Sequence, residues 1–199
     1  MKRPSGTRSI LLGLFCLLSA GSAEAHILPG QATGFFSGIL HPISGLDHIL
    51  AMVSVGVWGA QLGAPAIWVL PVTFPIMMAF GGLAGFLGVP LPAIEIGIAL
   101  SMVVLGAAVT LEAKPPQFAV MAVVAFFAIF HGYAHGTELP RGDSALLYSL
   151  GFVMATGCLH LLGITLGLIH RWAWGKGALR LAGTAVSLIG VFFLWSAAA

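Results

Sequence analysis

The sequence carries two histidines and a glutamate at a spacing that suits metal binding. His131, His135 and Glu138 stand at i, i+4 and i+7, so a helix of about 100° per residue brings them to one face. Two imidazoles one turn apart, with a carboxylate further along, can bind a borderline divalent cation. Gly132 and Gly136 leave that face sterically open. The alternative is a helix end in headgroup water, where these side chains are simply solvated.

A second group of candidate ligands lies nearer the N-terminus, in the run His41-Pro-Ile-Ser-Gly-Leu-Asp47-His48. His41 and His48 share a helix face, whereas Asp47 points about 100° away in a regular helix. A break at Pro42 or Gly45 would unwind the chain and let Asp47 point at the same ion. Alternatively, Asp47 sets the tautomer of a neighbouring imidazole, as carboxylates behind metal ligands do. Both roles place Asp47 in the site.

Three further ionisable residues are candidates for metal ligands, with Glu95 in the main set and His160 and His26 as weaker candidates. Glu95 lies in an apolar stretch, where a charged side chain costs about 2.5–3.5 kcal/mol and usually has a paired or functional role. His160 is either the next step of a metal path or a buried histidine bonded to a neighbouring hydroxyl or carbonyl. His26 would combine an imidazole with a free α-amine if the chain were cleaved before it, and the alternative is a disordered end.

The composition places these residues in a membrane. Of 199 residues, 59% are apolar and only 7% are charged, and the mean hydropathy is +1.05. A soluble domain with so few charges could not cover its surface with polar groups. The formal charge of +2 comes without a basic stripe, so nucleic acid is excluded as a partner and the lipid bilayer is expected.

The N-terminal 25 residues have the pattern of a cleaved signal peptide. An apolar run from Ile10 to Ala20 is too short to span a bilayer comfortably. It is followed by Ala23-Glu24-Ala25, a small-x-small cleavage signal, and preceded by the basic residues Lys2, Arg3 and Arg8. We expect cleavage after Ala25, with residues 26–199 as the mature chain and an uncleaved anchor helix as the alternative. Cys158 would then be the remaining thiol, which excludes an internal disulfide.

The mature chain is expected to form one all-α integral membrane domain, a bundle of six transmembrane helices. The six apolar stretches cover about 33–60, 66–88, 92–111, 117–137, 144–169 and 178–198. They must be helical, because backbone groups in hydrocarbon need partners within the segment. Recurrent G-x-x-x-G spacings, such as Gly81/Gly85 and Gly132/Gly136, favour a tightly packed bundle. The oligomeric state is left open.

The distribution of charge predicts the orientation of this bundle. If the mature N-terminus lies outside, six crossings return the C-terminus to the same, periplasmic, side. The predicted inner loops then hold most of the basic residues, and Arg141 lies outside, as the positive-inside rule requires. The inner residues are Lys114, Arg171, Lys176 and Arg180.

Taken together, the two motifs resemble the signature motifs of the HupE/UreJ family. They read His41-Pro-x-x-Gly-x-Asp47-His48 and Phe130-His131-Gly-x-Ala-His135-Gly-x-Glu138. The resemblance covers essentially the whole mature chain. It implies a permease of the bacterial inner membrane for nickel, or cobalt in some members, that serves hydrogenase or urease. The transport-essential residues it implies are His41, Asp47, His48, Glu95, His131, His135 and Glu138.

The resemblance thus implies a protein that is not an enzyme, with the metal ion as cargo and no permanently bound cofactor. The chain has no G-x-x-x-x-G-K-[ST] motif, so we expect facilitated diffusion or proton coupling rather than ATP hydrolysis. The rival from another class is an intramembrane metalloenzyme, since the same side chains could hold a metal that activates water. A lipid-accessible substrate cleft would distinguish that enzyme from a permease.

Overall fold

The computed structural model describes residues 34–138 and 144–198, and within these ranges the protein is helical without a strand. This confirms the all-helical class. The predicted signal peptide, residues 1–25, lies outside the described residues, as do His26 and Arg141. The expectations attached to those residues stay predictions.

Seven α-helices and one 3-10 turn make up the described chain. They are α1 (Phe35–Ser44), α2 (Leu46–Leu62), α3 (Ala66–Phe86), α4 (Ile94–Thr110), α5 (Gln117–Thr137), α6 (Ala145–Gly167), the turn Leu168–Arg171, and α7 (Ala173–Ala198). Glycine or proline stands at most of the breaks, where it ends one helix or begins the next. The last helix begins at Ala173 rather than near 178, because the Lys176 N–H already donates to the Trp172 carbonyl at 3.0 Å.

The first predicted span, 33–60, is not one straight helix. Its two parts, α1 and α2, meet at an angle of 85°. The turn is made at Gly45, whose φ of −94° and ψ of 119° are extended rather than helical, and Pro42 lies within the last turn of α1. The break that Pro42 and Gly45 predict is therefore present, and its position is Gly45.

The number of membrane spans is smaller by length and composition than the sequence predicts. In the described residues, α3, α5, α6 with its following turn, and α7 are long and apolar enough to cross a bilayer, and the bent pair α1 and α2 makes a fifth span. The remaining apolar helix, α4, has only 17 residues. Several apolar helices establish a membrane protein, while the count of six stays a prediction.

Glycines let α3 and α5 pack with their backbones in contact. A Cβ on Gly132 would collide with the Met78 carbonyl oxygen, and one on Gly136 would collide with the Gly82 carbonyl oxygen. From the other side, a Cβ on Gly81 would collide with the Ile129 carbonyl oxygen. Such close approach is how helices associate in lipid, where burial of apolar surface supplies little driving force. The packing role expected for these G-x-x-x-G spacings is confirmed for this pair.

One end of the bundle is basic. There the Arg180 Nε lies 3.3 Å from a carboxylate oxygen of Glu112, and the Trp58 indole N–H donates to the Ala113 carbonyl at 2.9 Å. These contacts bring the end of α2, the end of α4 and the start of α7 together. The basic residues of the adjoining segments are Lys114, Arg171, Lys176 and Arg180. The end of α5, with Glu138, therefore lies at the opposite end of the bundle.

We predict that Gly132→Ala destabilises the protein by about 1–3 kcal/mol, because the added methyl group must push α3 and α5 apart. Thermal unfolding of the purified protein in detergent measures this. Gly157→Ala is the matched control, since a Cβ at Gly157, also within a helix, meets nothing within 4 Å. An unfolding temperature that falls equally in both variants would contradict the packing role.

Candidate functional site

Four imidazoles from three helices meet in the bundle, with His135 at their centre. The ring centroid of His135 lies 4.5 Å from that of His41 and 4.5 Å from that of His48. The His48 and His131 centroids are 4.7 Å apart. All four residues are buried, with exposed fractions between 0% and 9%. We call these four residues the histidine cluster.

The bend at Gly45 makes the histidine cluster possible. His41 and His48 are seven residues apart, so a straight helix would separate them by about 10.5 Å along its axis. Because the chain turns at Gly45, His41 at the end of α1 and His48 at the start of α2 both contact His135 on α5. The sequence predicted these histidines as candidates, and the structure brings them together from separate helices.

Glu138 joins the cluster at its exposed edge. The Glu138 Oε2 atom lies 3.3 Å from the His41 Nε2 atom, and the Glu138 side chain is 59% exposed. One ligand atom from each of His41, His135 and Glu138 can be chosen so that all three lie within 4.8 Å of one another. Imidazole nitrogens and a carboxylate oxygen are ligands for borderline divalent metals. This trio therefore connects the outside of the bundle to its buried nitrogens.

Asp47 acts on His48 rather than pointing away from it. The Asp47 Oδ1 atom accepts hydrogen bonds from the His48 backbone N–H at 2.8 Å and from the His48 Nδ1 atom at 2.9 Å. Since an ionised carboxylate only accepts, Nδ1 carries the hydrogen and the neutral ring presents a lone pair on Nε2. In the described residues Nε2 has no hydrogen-bond partner. The geometry favours the second of the two roles considered for Asp47, the setting of a tautomer.

Ser101 fixes the tautomer of His131, as Asp47 does for His48. Ser101 is not among the residues that the sequence singled out. The Ser101 hydroxyl donates to the Ile98 carbonyl at 2.6 Å, so its oxygen must accept from the His131 Nε2–H, which lies 2.9 Å away. The neutral ring then presents a lone pair on Nδ1, which has no partner among the described residues. A single buried hydroxyl in an apolar helix has no sequence signature, because serine often bonds only to its own helix backbone.

Aromatic side chains surround the histidines. Phe152 of α6 lies against His135, with 4.4 Å between ring centroids, and Tyr148 lies 6.0 Å from His41. Phe74 of α3 is completely buried. Its ring centroid is 5.7 Å from that of His131 and 5.4 Å from that of His160. Sequence reasoning missed these rings because an aromatic residue in an apolar helix looks like ordinary packing.

The structure does not place every predicted site residue in the cluster. Glu95 is exposed in the first turn of α4. Among the described residues, the trio of clustered ligand atoms comes from His41, His135 and Glu138 and does not include Glu95. His160 is 1% exposed and is separated from His131 by the Phe74 ring. His26 lies outside the described residues.

A cavity of about 370 Å³ lies beside the histidine cluster, between α3, α5 and α6. His135 and Phe152 line it from within the bundle. Its rim includes Leu83, Phe86 and Val153, which are exposed on the apolar surface of the bundle. The cavity therefore connects His135 to the face that lipid covers.

Apolar helices around buried imidazoles, with carboxylates beside them, define an integral membrane protein with a candidate metal site. A sequence profile described as HupE / UreJ protein matches residues 14–193. The chain is 45% identical over 172 residues to "Protein HupE" of Rhizobium leguminosarum bv. viciae, covering 86% of this chain and 90% of that relative. No solved structure matches. The chain belongs to the HupE/UreJ family, which is associated with nickel and cobalt transport for hydrogenase and urease.

We predict that Gly45→Ala weakens Ni²⁺ binding by about 10-fold or more, as changes behind metal ligands do. The extended backbone of Gly45 accepts alanine, but its Cβ would lie 2.8 Å from Asp47 Oδ1 and 3.0 Å from His48 Nδ1. The Asp47–His48 pair must then move. Isothermal titration with Ni²⁺ measures the affinity, and Gly157→Ala serves as the control. Equal affinities in both variants and the wild type would contradict this role of Gly45.

We predict that Ser101→Ala frees the His131 tautomer and lowers Ni²⁺ affinity by about 10–100-fold. Nitrogen NMR of labelled imidazoles distinguishes the two neutral tautomers, and we expect His131 to lose its uniform Nε2–H form. Ser187→Ala is the control, because the Ser187 hydroxyl bonds the Val103 carbonyl at 3.0 Å, in the α4–α7 contact. An unchanged His131 spectrum in Ser101→Ala would show that Ser101 does not set the tautomer.

Proposed function

We propose that this protein is a secondary transporter that carries Ni²⁺ into the cell through the histidine cluster. The metal would supply the maturation of an enzyme such as hydrogenase or urease. One observation carries the proposal: the four buried imidazoles of the histidine cluster lie in a chain of ring contacts through His135 and His48. Each has a ring nitrogen without a hydrogen-bond partner in the described residues. Neutral imidazoles of this kind are metal ligands.

The ion would enter at Glu138, the exposed carboxylate of the trio. Glu138 attracts a hydrated cation and passes it to His41 and His135, whose nitrogens replace water ligands one at a time. His48 and His131 then offer nitrogens deeper in the bundle. Since several neighbouring sites share the ion, each holds it loosely enough for it to move on.

The two carboxylates beside the histidine cluster can balance the two positive charges of a divalent cation. Asp47 and Glu138 are carboxylates that contact His48 and His41. A dication buried without anions would be very costly, and two carboxylates compensate its charge. Glu95 does not belong to the trio of ligand atoms, and it is proposed only as part of the approach to the cluster from the exposed start of α4.

The ligand types support a borderline transition metal. Ca²⁺ and Mg²⁺ prefer all-oxygen sites, whereas this cluster is rich in imidazole nitrogen. Ligand type does not separate Ni²⁺ from Co²⁺ or Zn²⁺, so the choice of nickel follows the family association.

The charge asymmetry of the bundle supports an orientation in the membrane. Basic residues lie at the end opposite Glu138, and the positive-inside rule assigns that end to the cytoplasm. Glu138 would then face the periplasm across the inner membrane. α7 starts at the basic end and its 26 residues rise about 39 Å, which returns the C-terminus to the periplasmic side, where we also propose the mature N-terminus.

An intramembrane metalloenzyme is the second candidate, and the cavity beside His135 favours it. Its rim of exposed apolar residues on α3 and α6 is the kind of lipid-accessible cleft that an apolar substrate would need. In that case His41, His135 and Glu138 would hold a catalytic metal whose open position binds water. Such a protein would bind metal tightly without carrying it across the membrane.

Uptake of radiolabelled Ni²⁺ into proteoliposomes tests the transporter proposal. We expect saturable uptake by the wild type and a loss of at least about 10-fold in His135→Asn, because the central nitrogen ligand is removed. His170→Asn is the matched control, since the His170 Nδ1 atom pairs with the Gly167 carbonyl at 2.8 Å, near the basic end. Co²⁺, Zn²⁺ and Mn²⁺ as competitors rank the metals. Tight binding without uptake in the wild type would refute transport and favour the enzyme.

A further inference from the structure

Two fully buried polar side chains on α6 lie beyond the histidine cluster. Thr156 is 0% exposed and His160 is 1% exposed. In the described residues, neither the Thr156 hydroxyl nor either His160 nitrogen has a regular hydrogen-bond partner. The two residues are four apart, so they share one face of the helix. Buried polar groups normally find partners, and this pair therefore points to a ligand.

A backbone carbonyl of α3 faces the same place. The Pro71 carbonyl interacts with the His160 ring, although without regular hydrogen-bond geometry. This carbonyl has no helical donor, because the residue four positions later is Pro75, which lacks an N–H. A buried imidazole nitrogen and a carbonyl oxygen without its helical donor thus lie together between α3 and α6. The Thr156 hydroxyl lies one turn away on the same face of α6.

Thr156 and His160 lie deeper in the bundle than the histidine cluster, on the side of the basic end. Phe152 contacts His135, and Thr156 and His160 lie about 6 Å and 12 Å further along α6, towards the basic end. On α5, His131 is likewise about 6 Å deeper than His135. The Phe74 ring contacts both His131 and His160, so it lies between the cluster and the deeper group.

We propose that His160, Thr156 and the Pro71 carbonyl form a second, deeper site for the transported dication. The ion would reach it from His131 when the Phe74 ring moves aside. This proposal rests on the proposed transport function. With one imidazole and two neutral oxygens, the deeper site binds the ion more weakly than the cluster does, and weaker binding permits release towards the cytoplasm.

The number of bound ions tests this site directly. Titration of the full chain in lipid nanodiscs with Ni²⁺ alone should show two binding events in the wild type. His160→Asn should lose the weaker event and keep the tighter one, whereas His135→Asn should lose the tighter one. The control His170→Asn should keep both. A single event in the wild type, or two unchanged events in His160→Asn, would overturn the proposal.

Thr156→Val is a second variant that tests the site if His160→Asn does not fold. Valine has nearly the volume of threonine and removes only the hydroxyl. We expect the weaker event to lose affinity in this variant, with an unfolding temperature near that of the wild type. An unchanged weaker event in a folded Thr156→Val would remove Thr156 from the site.

Transport kinetics separate this proposal from the transport function itself. In His160→Asn we expect the maximal Ni²⁺ uptake rate to fall by about 10-fold while the KM stays within about twofold, since capture occurs at the cluster. If the wild type transports Ni²⁺ and His160→Asn transports it equally fast, only the deeper site is wrong. If the wild type itself transports nothing, the transport function is wrong.

Discussion

Imidazoles buried in hydrocarbon must be held in place by other protein groups, because no water is available there to partner them. In this bundle the position of His135 depends on two backbone features. The glycine contacts of α3 with α5 place α5 close to its neighbour. The 85° bend between α1 and α2 accompanies contacts of both His41 and His48 with the His135 ring, each at 4.5 Å between ring centroids. Without that bend, the two histidines would lie two turns apart on one helix.

The histidines are held by different kinds of partner. His48 is fixed by the carboxylate of Asp47, its neighbour in the chain, and His131 is fixed by the hydroxyl of Ser101 on another helix. Glu138 contacts His41 from the exposed end. Each partner engages one ring nitrogen, and among the described residues the other ring nitrogen of these three histidines has no partner. The orientation of their lone pairs is therefore set by the protein itself. Such preorganisation lowers the cost of ordering the ligands on binding.

The sequence was sufficient for the helical class and most helix bounds, and it singled out the histidines that the fold brings together. Few charges and long apolar runs require membrane helices, and the cost of an ionisable group in lipid marks each histidine as informative. The partners could not be predicted, because Ser101 and Phe74 look like ordinary members of apolar helices. Glu95 was expected at the site from its position in the chain, yet it is exposed at the start of α4. Which residues face inward depends on how the helices rotate against one another, and an apolar segment that is hydrophobic all round leaves that rotation unspecified.

The shortness of α4 has a consequence for the surrounding lipid. Its 17 residues rise about 26 Å, less than the hydrocarbon thickness of a typical bilayer of about 30 Å. A spanning helix that is shorter than the bilayer thins the lipid locally, whereas a longer one, such as the neighbouring α7, is accommodated by tilting, kinking or local thickening of the bilayer. In the proposed six-span arrangement, the membrane beside α4 would therefore be thinner, and the distance over which the proposed cargo ion travels without its water shell would be shorter. Acyl-chain length would then be a variable of the proposed metal permeation, alongside the ligands of the protein.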